Sequence, residues 1–177
     1  VVYAFWRAVT TDCAAFVERV RKTPVNMKTW ERQRKVLADP GAYDLLDVAF
    51  ATFFLNRTNR SGILSAGVIG GKEQNGNFKL DARYNVPDLA ARIERIGALA
   101  KNITVLGVDA LSLLTDVAPG FPNRCLVYLD PPYYMKGSLL YRNHYGPNDH
   151  AAIAHCVSQA EYPLLVTYDN CPEVRRL

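Results

Sequence analysis

The stretch Leu126-Val127-Tyr128-Leu129-Asp130-Pro131-Pro132-Tyr133 governs how the rest of the chain is read. Its first four residues form a short apolar run, the pattern of a parallel strand buried on both faces. Asp130 then falls at the carboxyl end of that strand, where open parallel sheets gather their ligands. Pro131 disfavours helical geometry at Asp130 and keeps it extended. The two prolines also remove two N–H donors and stiffen the loop. What remains is a carboxylate and a rigid carbonyl, both acceptors, beside the ring of Tyr133. Two acceptors can hold both hydrogens of an exocyclic amine on a flat ring. They draw its nitrogen toward tetrahedral geometry and free a lone pair otherwise delocalised into the ring. A stacked aromatic fixes the plane, as in pockets that hold flipped bases. The competing reading is a strand ending in a Pro-Pro turn with a surface tyrosine.

Working outward, Ile103-Thr104-Val105-Leu106 and Leu164-Leu165-Val166-Thr167 read as two further short apolar strands. Helical patterns lie between them, one after Pro87 with Asp88 as its opening residue, another begun by Pro147 and Asn148. Short buried strands alternating with amphipathic helices predict an α/β fold with a parallel sheet. The first third reads as helical. Cys13, Phe16, Val17 and Val20 repeat at helix spacing. Residues 30–37 read as a surface helix stopped by Asp39-Pro40-Gly41. Asp44 caps a segment from Leu45 to Phe54 that is apolar almost all round and so predicted to be buried.

Residues 56–85 change character. Five of the 11 glycines fall here, mixed with Asn, Ser, Lys and Arg. The composition predicts loop and hairpin structure, with Asn75-Gly76 as a tight turn. A connection this long is usually functional or disordered. Residues 56–84 carry five Lys/Arg against two Asp/Glu, and so supply most of the net charge of +4. A compact basic insert suits a phosphate backbone as partner, and it weighs against the bland reading of the Pro-Pro turn.

At 177 residues, 49% hydrophobic and 21% charged, the chain has room for one ordinary domain and is excluded from the disordered class. No apolar run approaches the roughly 20 residues of a membrane span. The start of the chain does not read as a signal peptide. Four scattered cysteines, Cys13, Cys125, Cys156 and Cys171, read as free thiols of a reducing cytoplasm. Their spacing to each other and to His144, His150 or His155 does not suggest zinc.

The chain resembles the Dam-type DNA adenine-N6 methyltransferases. Asp130-Pro131-Pro132-Tyr133 is the most specific element of the likeness. Softer ones are Tyr3-Ala4-Phe5-Trp6-Arg7, Phe53-Phe54-Leu55-Asn56-Arg57, Gly76-Asn77-Phe78, Arg83-Tyr84-Asn85, Gly107-Val108-Asp109 and Thr167-Tyr168-Asp169-Asn170. The resemblance implies part of a Rossmann-like methyltransferase sheet with an inserted target-recognition subdomain. Residues 1–55 would be the helical part of the methyltransferase domain, 56–86 the DNA-recognition insert, and 87–177 the catalytic half. It implies methyl transfer from S-adenosylmethionine to a flipped adenine of double-stranded DNA, with no metal and no membrane. Asp130 and the Pro131 carbonyl would accept from the amine, and Tyr133 would stack on the base. Asp109 and Asp130 would lie against the cofactor. Asn56, Arg57, Arg60, Lys72, Lys79 and Arg83 would meet DNA. Tyr134, Tyr141 and Tyr145 would pack around the loop or form a mobile lid.

The family's Gly-rich cofactor turn has no counterpart among the 177 residues, where no G-x-G occurs. The chain also begins without Met and in mid-pattern. It therefore reads as a methyltransferase segment incomplete at both ends, with a cofactor-binding strand expected before Val1 and further strands after Leu177. The segment alone is expected to bind the cofactor very weakly, to methylate nothing, and to associate with itself through an unpaired sheet edge. Two alternatives stand beside this one, a truncated homologue that binds DNA without modifying it and an RNA N6-adenine methyltransferase.

Overall fold

A computed structural model describes residues 1–122, 124–135 and 145–177. The chain divides into two compact units, residues 1–106 and 107–177.

The first unit is built from α1 (Val2–Thr11), α2 (Cys13–Lys22), α3 (Met27–Ala38), α4 (Leu45–Thr58) and α5 (Val86–Ala98). Each start after α1 is set by a short polar side chain that accepts from an otherwise unpaired helix N–H. Asp12 accepts from Ala15 N (3.2 Å), Asn26 from Thr29 N (2.9 Å) and Asp44 from Asp47 N (2.7 Å), the last as the sequence predicts. For α5 the cap is Asn85, which accepts from Asp88 N at 3.2 Å. Asp88 is thus three residues inside the cap it was expected to be. Pro87 misleads the eye: it sits in the first turn, where its missing N–H costs no helix bond.

Around α4 pack α1 and α3, while α5 lies against α1 and α2. The α4 helix buries Val48 through Leu55 and Thr58, because its charged residues are confined to its ends and Thr52 turns its hydroxyl back onto the Val48 carbonyl at 2.7 Å. Phe16 and Phe53 meet edge to face at 5.6 Å, and Tyr84 packs on Phe53 and Phe54 at 5.7 and 5.3 Å. The α3 helix is less of a surface element than its charges suggest, since Trp30, Gln33, Val36 and Leu37 are buried along one face. Trp30 Nε1 donates to Asn59 Oδ1 at 2.7 Å, and Asn59 Nδ2 donates to the carbonyls of Ile63 and Leu64. A buried amide so satisfied pins the next segment onto the core. Where α2 and α5 cross, Gly97 faces Cys13, and a β-carbon at Gly97 would lie 2.7 Å from that of Cys13.

Residues 59–85 do not form the expected hairpin. One antiparallel bridge, Asn59 to Val68, is followed by turns. Their organiser is Gln74, in the left-handed region at φ 50°. Its Nε2 donates to the carbonyls of Ile69 (2.8 Å) and Gly71 (2.6 Å), while its Oε1 accepts from Leu80 N (2.9 Å). Gly70, at φ 82°, has no room for a β-carbon, which would stand 2.5 Å from the Phe78 carbonyl oxygen. The segment therefore coils on its own backbone, anchored by buried Val68, Leu80 and Tyr84. The turn falls before Asn75-Gly76 rather than on it.

The second unit begins with α6 (Ala110–Ser112), which runs on through a π turn at Leu113–Val117. Then come β1 (Val127–Leu129), α7 (Pro147–Ser158) and β2 (Leu164–Val166). The strands pair in parallel, Val127 with Leu164 and Leu129 with Val166. This is a mixed helix and strand fold with a small parallel sheet, two-stranded among the described residues. Its core is Leu114, Val127, Leu129 and Ile153. Tyr128 and Leu165 are exposed, so the strands are buried on one face instead of both. Residues 103–106, expected as a strand, are extended but unpaired. Their apolar side chains alternate between half-buried and exposed, and an extended run with no neighbour has no ladder to hold it.

Candidate active site at the ends of the parallel strands

Asp130 is the first residue after β1, and Thr167 the first after β2. Thr167 N donates to the Leu129 carbonyl at 3.0 Å, which continues the ladder one step and sets the two residues side by side. Thr167 Oγ1 donates to Asp130 Oδ1 at 2.8 Å and lies 3.1 Å from the Tyr128 hydroxyl. Asp130 is exposed, and its Oδ2 has no partner among the described residues. Pro131 and Pro132 are half-buried and Tyr133 presents its ring to solvent at 42% exposure. The loop thus presents one carboxylate oriented by Thr167, with an exposed ring three residues on.

The loop is held from behind by Asp169. Its Oδ1 accepts from Tyr134 N (2.9 Å) and its Oδ2 from Met135 N (3.2 Å). Burial pushes this carboxyl up, but the two backbone N–H bonds, with a smaller pull from His150, hold it below its ordinary value. Asp109 accepts from Leu111 N at 2.8 Å, capping α6, and from the Tyr145 hydroxyl at 3.3 Å. Burial, with Asp109 beside it, raises the Tyr145 phenol. Both Asp109 oxygens keep a further lone pair, and the residue is exposed. Tyr134 and Tyr145 pack against His150. Tyr141 and His144 lie outside the described residues.

The basic residues of the insert belong to the first unit. Asn56 is a brace: its Nδ2 donates to the Gly62 carbonyl (3.0 Å), and its Oδ1 accepts from Arg57 Nε (3.1 Å) and Nη2 (2.7 Å). Burial lowers the Arg57 guanidinium from its usual range, and the like charges of Arg83 and Arg92 add to this. Arg57, Arg83 and Arg92 thus crowd three positive charges together; Arg92 is offset by Asp88 at 3.0 Å. Arg60, Lys72 and Lys79 are exposed. Lys79 donates to the Gln74 carbonyl, whereas Lys72 has no partner among the described residues.

Sequence reasoning passed over three residues of the site. Thr167 and Asp169 were visible only as part of a soft motif, and His150 only as a remote metal donor. Phe78, 73% exposed beside Lys79, also drew no role of its own. Among the described residues no group of His, Cys, Asp and Glu could hold a metal ion, and no helix is long and apolar enough to cross a membrane. The chain matches no protein-family model and no curated protein.

Proposed function

We propose that the chain carries the acceptor loop and the DNA-contacting segment of an S-adenosylmethionine-dependent DNA adenine-N6 methyltransferase with a Rossmann-like catalytic domain. The observation that carries the reading is Asp130 itself. It is an exposed carboxylate at the carboxyl end of a parallel strand, oriented through one oxygen by Thr167 and without a partner at the other among the described residues, with the Tyr133 ring three residues on. The free oxygen accepts one hydrogen of the adenine amine and the Pro131 carbonyl accepts the second. Thr167 keeps the carboxylate from rotating away, and Tyr133 stacks on the flipped base.

S-adenosylmethionine, when bound, supplies the electrophilic methyl group. Residues of this chain fit its acceptor side. Asp130 would lie toward the transferring end, and the spare lone pairs of exposed Asp109 would suit hydroxyl or amine donors of the cofactor. The amine hydrogen displaced by the methyl group leaves as a proton to solvent. Arg57, Arg60, Lys72, Lys79 and Arg83, with Asn56 as their brace, supply the sequence-independent attraction to phosphates. The test adds methyl-labelled S-adenosylmethionine and duplex DNA to the full-length gene product. Label on adenine N6 of DNA, absent for Asp130→Ala, supports the reading. Label on RNA alone, or DNA binding with no label at all, overturns it.

A further inference from the structure

His150, in the first turn of α7, is 1% exposed and enclosed by three tyrosines. Ring centroids lie at 4.9 Å for Tyr134, 5.6 Å for Tyr168 and 5.7 Å for Tyr145. Its Nδ1 is 2.6 Å from the Tyr168 hydroxyl, and its buried Nε2 has no hydrogen bond of good geometry among the described residues. The tyrosines arrive from different places. Tyr134 follows the Asp-Pro-Pro-Tyr loop, Tyr168 sits between Thr167 and Asp169 beyond β2, and Tyr145 precedes α7. The same Asp169 that flanks Tyr168 accepts from the backbone of Tyr134 and Met135. A ring contact and a pair of backbone bonds thus join the exit of β2 to the residues just after Tyr133.

We infer that His150 is a positioning residue for the loop at residues 130–133: its imidazole ties Tyr134, directly after the loop, to Tyr168 beside Thr167, and so sets where the Asp130 carboxylate and Tyr133 ring stand. The inference rests on the proposed methyl transfer for its activity readout alone.

A neutral ring suits the cage. An imidazolium would carry charge into a buried aromatic setting, which is costly. Among the described residues the charged and titratable groups around it are Tyr134 from the loop, Tyr168 and Asp169 beyond β2, Tyr145 before α7, and Asp149 on α7. Burial lowers the His150 ring from its ordinary 6.5, and the opposing effects of Asp169, Asp149 and the Tyr145 backbone do not overcome it. Burial likewise raises the Tyr168 phenol to about 12, so its hydroxyl keeps its proton near neutrality. Acidification therefore charges the ring at the expense of the cage.

The experiment follows His and Tyr ring resonances of the full protein through a pH titration, alongside label transfer from S-adenosylmethionine to DNA. Wild type, His150→Ala and His150→Asn are compared; Asn retains a polar atom toward Tyr168 but cannot take up charge. The Tyr133 and Tyr134 rings are expected to shift with the midpoint of His150. His150→Ala should lower kcat about ten- to hundredfold with DNA affinity unchanged, as a misplacement of about 1 Å does. His150→Asn should restore part of that rate and remove the acid limb belonging to His150. Tyr133 and Tyr134 rings that ignore the titration, or wild-type turnover in His150→Ala, would overturn the inference. A wild type that transfers no label to DNA sinks the proposed function instead, and the resonances still decide the role of His150.

Discussion

Residues 1–106 bury six aromatic rings about one apolar helix, whereas the described part of residues 107–177 closes over a small cluster of Leu114, Val127, Leu129 and Ile153. The first unit is held by burial, at roughly 25 cal/mol for each Å² of apolar surface removed from water. The second has little such surface, and its order comes from polar ties at the strand ends: Asp130 to Thr167, Asp169 to two backbone N–H groups, His150 to Tyr168. Polar ties cost desolvation and give modest net stability, but they fix direction. The candidate chemistry sits in the unit whose side chains are aimed rather than submerged. A tightly filled core would leave no carboxylate open to a substrate.

The contrast can be broken by mutation, starting with the largest effect. Phe54→Ala should empty a fully buried site and cost the first unit about 3–5 kcal/mol, measured by denaturant unfolding followed through helix circular dichroism. A loss below about 1 kcal/mol would mean the aromatic cluster is not its main support. Asp130→Ala should do the reverse, costing the second unit no more than about 1 kcal/mol, the net worth of its one hydrogen bond from Thr167. Label transfer to DNA should fall about 100- to 1000-fold. Equal damage to folding and to transfer would erase the distinction between the units.

Tyr133 sharpens the comparison at a smaller scale. If the exposed ring stacks on a base, Tyr133→Ala should weaken productive DNA binding by roughly 1–3 kcal/mol while Tyr133→Phe stays near wild type. A damaged Phe variant would assign the work to the hydroxyl. In the first unit Tyr84 offers the opposite experiment. Its hydroxyl is buried without a partner, and burial pushes the phenol well up. Tyr84→Phe should therefore stabilise that unit, by up to about 1–3 kcal/mol, in a thermal melt.

Acid should separate the units as well. His150 binds its proton less readily folded than unfolded, so the stability it gives is complete above its ordinary 6.5 and is lost as pH falls toward its lowered folded value. Asp169, also lowered, contributes above its ordinary 3.8 and loses that contribution as pH drops through its folded value. Both push the same way. Hydrogen exchange should show α7 and the strands losing protection on acidification before α4 does; simultaneous loss would count against the polar ties.

Local features of this fold are legible in the chain, and remote partnerships are not. Asp44 announces α4 because cap and apolar run are contiguous. Asp130-Pro131 announces a strand end because proline acts on its immediate neighbour. The α5 start is displaced to Asn85 because two polar residues compete across Val86-Pro87 and only backbone geometry chooses between them. Gln74 hides the structure of its segment, since one side-chain amide there replaces a hairpin ladder. His150, Thr167 and Asp169 gain their roles from partners distant in sequence, which spacing along the chain does not encode. The run at residues 103–106 has the composition of a strand but lacks a paired neighbour.

The crossing of α2 and α5 at Cys13 and Gly97 has an evolutionary consequence. Alanine at position 97 would favour the isolated helix by up to about 1 kcal/mol, yet the gap already holds the Cys13 side chain. There is space for one β-carbon, and either helix can provide it. Gly97→Ala alone should collide, and Cys13→Gly alone should leave a void. The double substitution moves the filling group from one helix to the other and should recover most of what each single change loses. Lineages crossing between these two solutions must pass through a less stable intermediate, so the two positions are expected to change together.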